Sequence, residues 1–317
     1  MKKIASLICG LIFMHVLFSL FMSNYMSYLY QDRVPNVRHV DFDRELVPNL
    51  LMSHMIDRTD ENKEQVLFVG SSFSWAYPFP KKSSYPYLVQ KELPGRNVIN
   101  LSVIGDNPLY TFETLCLLNK YKLKVDTLVV EINLANFSAI NEGSLKKGRA
   151  GRCLAYEKFD FLLDSIFPYS SFFLSSPFGL NHFGIVHDKF DYTRKRDRKF
   201  RFNSLRDGYF NTPSEAEKTF EAKSKVIQML LNTAKNVSDE VIFFIAPISS
   251  YGVALSQYDI DNLKIQSNKI IRECKAIDGV KCLDIDFDLD KKYFMNITHL
   301  NMKGHEAFSR YMLNYLD

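Results

Sequence analysis

The chain lacks the patterns from which most metal centres are built. Its five cysteines, Cys9, Cys116, Cys153, Cys274 and Cys282, include no C-x-x-C pair, and its seven histidines do not cluster. Neither a zinc nor an iron–sulfur site is expected. Excess charge of one sign is missing as well. Forty Lys and Arg against 36 Asp and Glu leave a formal +4, which gives no reason to expect a nucleic-acid partner. No internal repeat or low-complexity tract interrupts the 317 residues, and 14% aromatic content with 26 Phe is that of a packed domain rather than a disordered chain.

A cleavable leader is also hard to find. Lys2 and Lys3 precede an uncharged run from Ile4 to Met22, roughly long enough at about 1.5 Å per residue to cross a bilayer core. The following "SNYMSYLYQDR" has no A-x-A pattern, and no small residue precedes Cys9 as lipidation would require. The reading is an uncleaved anchor over residues 1–30, its N-terminus in the cytoplasm and the remainder in the periplasm or outside the cell. Residues 31–65 are polar, with two prolines, and fit a stalk. In an oxidising compartment Cys274 and Cys282 could bridge, but Cys116 and Cys274 are read first as buried helix residues.

From residue 66 onward, short apolar runs alternate with longer amphipathic segments. The runs are "VLFVG" (66–70), "NVINL" (97–101), "TLVVEIN" (127–133), "EVIFFIAP" (240–247) and "VKCLDI" (280–285). Helices are expected at about 108–122, 213–236, 257–277 and 302–316, with Thr212 and Asn301 as caps. Strands apolar throughout are buried on both faces. The expected fold is a three-layer α/β/α domain over 66–317 with a doubly wound, mainly parallel sheet. Residues 138–212 break the alternation. Eight Lys or Arg between Lys189 and Arg206 read equally as a patch for an anionic polymer or lipid and as a solvated insertion.

In an open parallel sheet, ligands meet the carboxyl ends of the strands, so polar residues there carry the search for chemistry. Ser72 follows the first strand in "GSSFS", where a tight turn brings backbone N–H groups near its hydroxyl. His299 precedes the last helix in "NITHLNMKGHEAFSRYML" and is the residue type that takes a proton from Ser. Gly105 follows the second strand and Asn133 ends the third. A glycine N–H and an asparagine amide are donor types suited to an oxyanion hole.

Those four positions in that order resemble the SGNH, or GDSL, hydrolase superfamily, whose motifs are G-D-S, a Gly, G-x-N-D and D-x-x-H. The resemblance covers about 66–133 and 240–316. It implies a flavodoxin-like fold, Ser72 as nucleophile, His299 as base, and Gly105 and Asn133 as oxyanion donors, with no metal or dissociable cofactor. Ser71 stands in place of the Asp of G-D-S, a form similar to that of membrane-anchored members in teichoic acid D-alanylation and polysaccharide O-acetylation. Glu131 and Leu134 replace the Gly and Asp of G-x-N-D. Asn296 replaces the Asp of D-x-x-H, a change that in serine proteases costs roughly 10⁴ in rate. Asp284, Asp286 or Asp288, or a backbone carbonyl, are the other candidates for orienting His299. The implied activity is a serine esterase or O-acyltransferase acting on an envelope polysaccharide or glycolipid. The alternatives are a silent SGNH fold that binds carbohydrate or partners a membrane-bound O-acyltransferase, and a structural tethered protein whose motif matches are coincidental.

Overall fold

The computed structural model describes residues 4, 6–14, 17, 62–76, 79, 81–102, 108–120, 122–134, 213–249, 257–285, 290–295 and 298–316. Gly105, Asn296, Asp286, Asp288, Thr212, the insertion at 138–211 and most of the 31–65 stalk lie outside the described residues.

Five strands form one sheet: β1 (Glu64–Val69), β2 (Arg96–Asn100), β3 (Val125–Ile132), β4 (Ser238–Ile245) and β5 (Val280–Leu283). Their order is β2-β1-β3-β4-β5 and every pairing is parallel. The helices are α1 (Ser72–Trp75), α2 (Tyr85–Glu92), α3 (Pro108–Lys120), α4 (Pro213–Val237), α5 (Gln257–Lys275) and α6 (Met302–Leu316). The domain is thus a three-layer α/β fold with a parallel sheet. Alternate strand residues explain its layers. Val66, Phe68, Val129, Ile242 and Phe244 face a core built with Tyr85 and Val89 of α2 and Phe308, Met312 and Leu316 of α6. The intervening Leu67, Leu128, Val130, Val241 and Phe243 are equally buried, on the face where α4 packs between α3 and α5. Each fully buried aromatic here contributes about 1.5–3 kcal/mol through burial.

The strand order reverses between β1 and β3. The chain leaves β1 for β2 on one side and returns to β3 on the other, and the carboxyl ends of β1 and β3 at such a reversal are where open α/β sheets form a crevice.

Two expectations need correcting. Helix α2 has no counterpart among the expected helices, although Ser84 caps it by accepting from the Tyr87 N–H and a proline sits in its first turn. Cys116 and Cys274 are buried in helices, but they are not free thiols. Cys274 of α5 is bonded to Cys282 of β5 with Cα atoms 6.0 Å apart, and Cys116 is disulfide-bonded as well.

Residues 6–14 are helical, and their apolar side chains are exposed all around: Leu7, Ile8, Leu11, Ile12, Phe13 and Met14 each show half or more of their surface. Among the described residues no helix is long and apolar enough to cross a membrane.

Candidate active site

Ser71 ends the extended chain leaving β1 and caps α1, its hydroxyl accepting from the Phe73 N–H. Ser72 is thereby the first helical residue, at the reversal crevice. The amides of Ser71, Phe73, Ser74 and Trp75 are all bonded within the turn or to Glu131. Among the described residues the Ser72 N–H has no acceptor, so it can donate to an oxygen that becomes negatively charged beside Ser72 Oγ.

His299 reaches this crevice from a loop held at several points. Phe294 and Leu300 form an antiparallel bridge, and the Met295 N–H donates to the His299 carbonyl at 2.9 Å. Asn301 caps α6 by accepting from the Gly304 N–H, while its amide donates to the carbonyls of Lys292 and Phe294. Gly304 itself lies so close to the Tyr293 carbonyl, 2.1 Å from where a Cβ would stand, that no side chain fits.

The imidazole Nε2 lies 2.9 Å from Ser72 Oγ, a hydrogen bond bridging 227 residues of sequence. On the other side Nδ1 is 3.1 Å from Thr298 Oγ1. For Nε2 to accept the Ser72 proton it must be bare, which puts the ring hydrogen on Nδ1, within reach of Thr298 Oγ1. Burial pushes the His299 imidazolium down to about 4. The ring is therefore neutral near pH 7, the form a base requires.

Of the residues expected at the site, Ser72 and His299 are in contact. Asn133 stands one residue past β3, buried, at the same sheet edge. Gly105 and Asn296 lie outside the described residues. Asp284 is exposed, and its charge acts on the Tyr311 phenol.

Sequence reasoning registered Glu131 only as a departure from a motif. In the fold it is 2% exposed and lies under the Ser71–Ser74 turn. Its Oε1 accepts from the Ser71 hydroxyl at 2.6 Å, and its Oε2 accepts from the Ser71 N–H at 2.8 Å, the Ser74 N–H at 3.2 Å and the Ser74 hydroxyl at 2.8 Å. Because Ser74 gives its proton to Glu131, the Tyr85 hydroxyl donates to Ser74 Oγ, 2.7 Å away. Burial raises the Glu131 carboxyl pKa, and the bonds from Ser71 and Ser74 oppose that shift. An acidic residue in the otherwise apolar "LVVEI", on a strand buried along both faces, was the available signal.

His305, one turn into α6, is 1% exposed and stacks on Tyr85 with ring centroids 6.3 Å apart. Burial first, and then the nearby His299 charge, push it down to about 3.

No protein-family model matches the chain, and no curated protein matches its sequence. Its fold is similar to solved structures at low identity. A putative lipolytic protein of the G-D-S-L family from Desulfitobacterium hafniense superposes with TM-score 0.41 at 12% identity, covering 79% of this chain and 98% of that one. The psychrotrophic esterase EstA from Pseudoalteromonas sp. gives 0.41 and 12%, covering 80% and 96%. An acetylxylan esterase from Geobacillus stearothermophilus gives 0.40 and 12%, covering 79% and 93%. Similarities of this size carry no argument about activity, which rests on the site itself.

Proposed function

We propose that the protein is a membrane-anchored serine esterase or O-acyltransferase of the SGNH type, acting on an envelope polysaccharide or glycolipid through an acyl-Ser72 intermediate. The observation that carries this reading is the 2.9 Å contact between Ser72 Oγ and a neutral His299 Nε2. In the first half-reaction Ser72 Oγ attacks the acyl carbonyl carbon while its proton passes to Nε2. The bond to the leaving oxygen then breaks, and His299 returns the proton to that oxygen. In the second half-reaction water or an acceptor hydroxyl gives its proton to His299 and attacks the Ser72 ester, releasing the serine. The Ser72 N–H, Asn133 and Gly105 are the proposed donors to the oxyanion.

Two features support a location across the membrane from the cytoplasm. The apolar side chains of residues 6–14 project outward on all sides of a helix, as a lipid-facing segment would. The Cys274–Cys282 disulfide belongs to an oxidising compartment. An anchored enzyme on that side meets envelope glycans and glycolipids as acyl donors and acceptors.

The test is covalent labelling of the purified protein with a serine-directed fluorophosphonate. Labelling is expected in the wild type and absent in Ser72→Ala, with a loss of about two or more orders of magnitude in rate in His299→Gln. Folded wild-type protein that does not react at Ser72 refutes the reading.

A further inference from the structure

Glu131 is a carboxylate set beside the reacting serine but not beside the base. Its two oxygens receive four donors, all from Ser71 and Ser74, the residues flanking Ser72 on either side. The parallel register explains the meeting. Phe68 pairs with Val129 and Val69 with Val130, so the next step along the strands brings Gly70 level with Glu131. A Cβ at Gly70 would stand 2.5 Å from Glu131 Oε2 and 2.6 Å from Glu131 Cβ. Glycine is therefore what lets the acidic side chain pass beneath the turn.

The direction of the bonds settles what the carboxylate does. All four partners are donors, and the Ser74 hydroxyl in turn accepts from Tyr85, which is itself fully buried. The order Tyr85 to Ser74 to Glu131 leaves no freedom to rotate either hydroxyl. Ser71 is at once the donor to Oε1 and the cap that accepts from Phe73. The turn is thus tied to β3 on both sides of Ser72 through one side chain, and the Ser72 side chain alone is left to His299.

We propose that Glu131 is a positioning residue: it acts through the backbone of the turn to aim Ser72 Oγ at His299 Nε2, and it does not act on His299 by charge. This inference rests on the reading of Ser72 as nucleophile. Glutamine is the informative replacement. Its oxygen can sit at the Oε2 position and accept three of the four bonds, while its amide nitrogen at the Oε1 position donates to Ser71 Oγ, whose proton turns away. Alanine removes every acceptor.

The experiment compares full-length wild type with Glu131→Gln, Glu131→Ala and Ser71→Ala. It reads the second-order rate of fluorophosphonate labelling of Ser72 and the amide hydrogen exchange of the segment 64–76. Expected for Glu131→Gln is a rate within about threefold of wild type and unchanged protection. Ser71→Ala, which removes the bond to Glu131 Oε1 and the cap on the Phe73 N–H, falls about tenfold or more. Folded Glu131→Ala falls about 100-fold, the scale of a roughly 1 Å misplacement of a reacting atom, and its Ser71 and Ser74 amides exchange freely. If Glu131→Ala does not fold, Glu131→Gln and Ser71→Ala decide. The proposal is overturned if Glu131→Gln loses as much rate as alanine, or if the folded Ala variants label at the wild-type rate with protected amides. Should wild-type Ser72 not react, the nucleophile reading fails on its own, and the exchange data still test the tie between Glu131 and the turn.

Discussion

The pH dependence of Ser72 reactivity follows from the burial of His299. Only the neutral ring can accept the serine proton, so reactivity falls as acid protonates it. With His299 pushed down to about 4, about 97% of the ring is neutral at pH 5.5, whereas an ordinary histidine near 6.5 would be only about 9% neutral. The labelling rate at pH 5.5 is therefore expected to stay close to its value at pH 7.5. The same shift acts on stability. His299 and His305 both have folded values below the unfolded one, so their contribution is complete above about 6.5 and is lost as pH falls toward 4 and 3. Two protons taken up on unfolding give a slope of at most about 2.7 kcal/mol per pH unit within that window. Glu131, whose carboxyl is raised, works in the opposite direction and lowers the slope. The assay is stopped-flow labelling from pH 4 to 8, with circular dichroism giving the folded fraction at each point. Glu131→Gln is run in parallel to remove the titrating carboxyl. A half-maximal rate near 6.5 in folded protein of both kinds would refute the argument that His299 is desolvated.

Two substitutions extend the test to the supports of the site. Gly70→Ala drives a methyl into Glu131 and is expected to cost about 2–4 kcal/mol through overpacking and disrupted hydrogen bonds, visible as a Tm lowered by about 4–16 °C; an unchanged Tm would show that the turn does not lie against Glu131. Asn301→Ala removes the cap of α6 and the two bonds to Lys292 and Phe294, with an expected loss of about 1–2 kcal/mol and slower labelling because the His299 loop is freed. Equal labelling in folded Asn301→Ala would mean that the loop is held without it.

The architecture was legible because a parallel sheet covered on both faces forces its strands into apolar runs. Each of the five runs from "VLFVG" to "VKCLDI" is a strand, and the helices between them fall within about two residues of their expected bounds at the ends compared. Ser72 and His299 could be singled out because strand ends converge on one edge. Helix α2 escaped notice because eight residues carry little periodicity and Pro86 suggests a turn. The fate of Cys274 was decided by tertiary approach. Its distance from Cys282 is set by α5 packing on β5, which spacing alone does not reveal.

Glu131 was visible as a residue and invisible as a function for the same reason. Its partners lie 57 to 60 positions away, and only the β1–β3 register brings them together. Once that register is known, two departures from the motif pattern become one feature: Ser71 lacks a carboxylate of its own, and Glu131 delivers one to its hydroxyl at 2.6 Å. The consequence is a division of labour between two ends of the site. The Ser72 turn is held by a buried carboxylate reaching across from β3, while the ring of His299 is met at Nδ1 by the hydroxyl of its neighbour Thr298 and placed by a loop that Asn301 pins to α6. Because all four bonds of Glu131 end on Ser71 and Ser74, Glu131→Ala is expected to slow labelling of Ser72 while leaving amide protection in β4 and β5 unchanged.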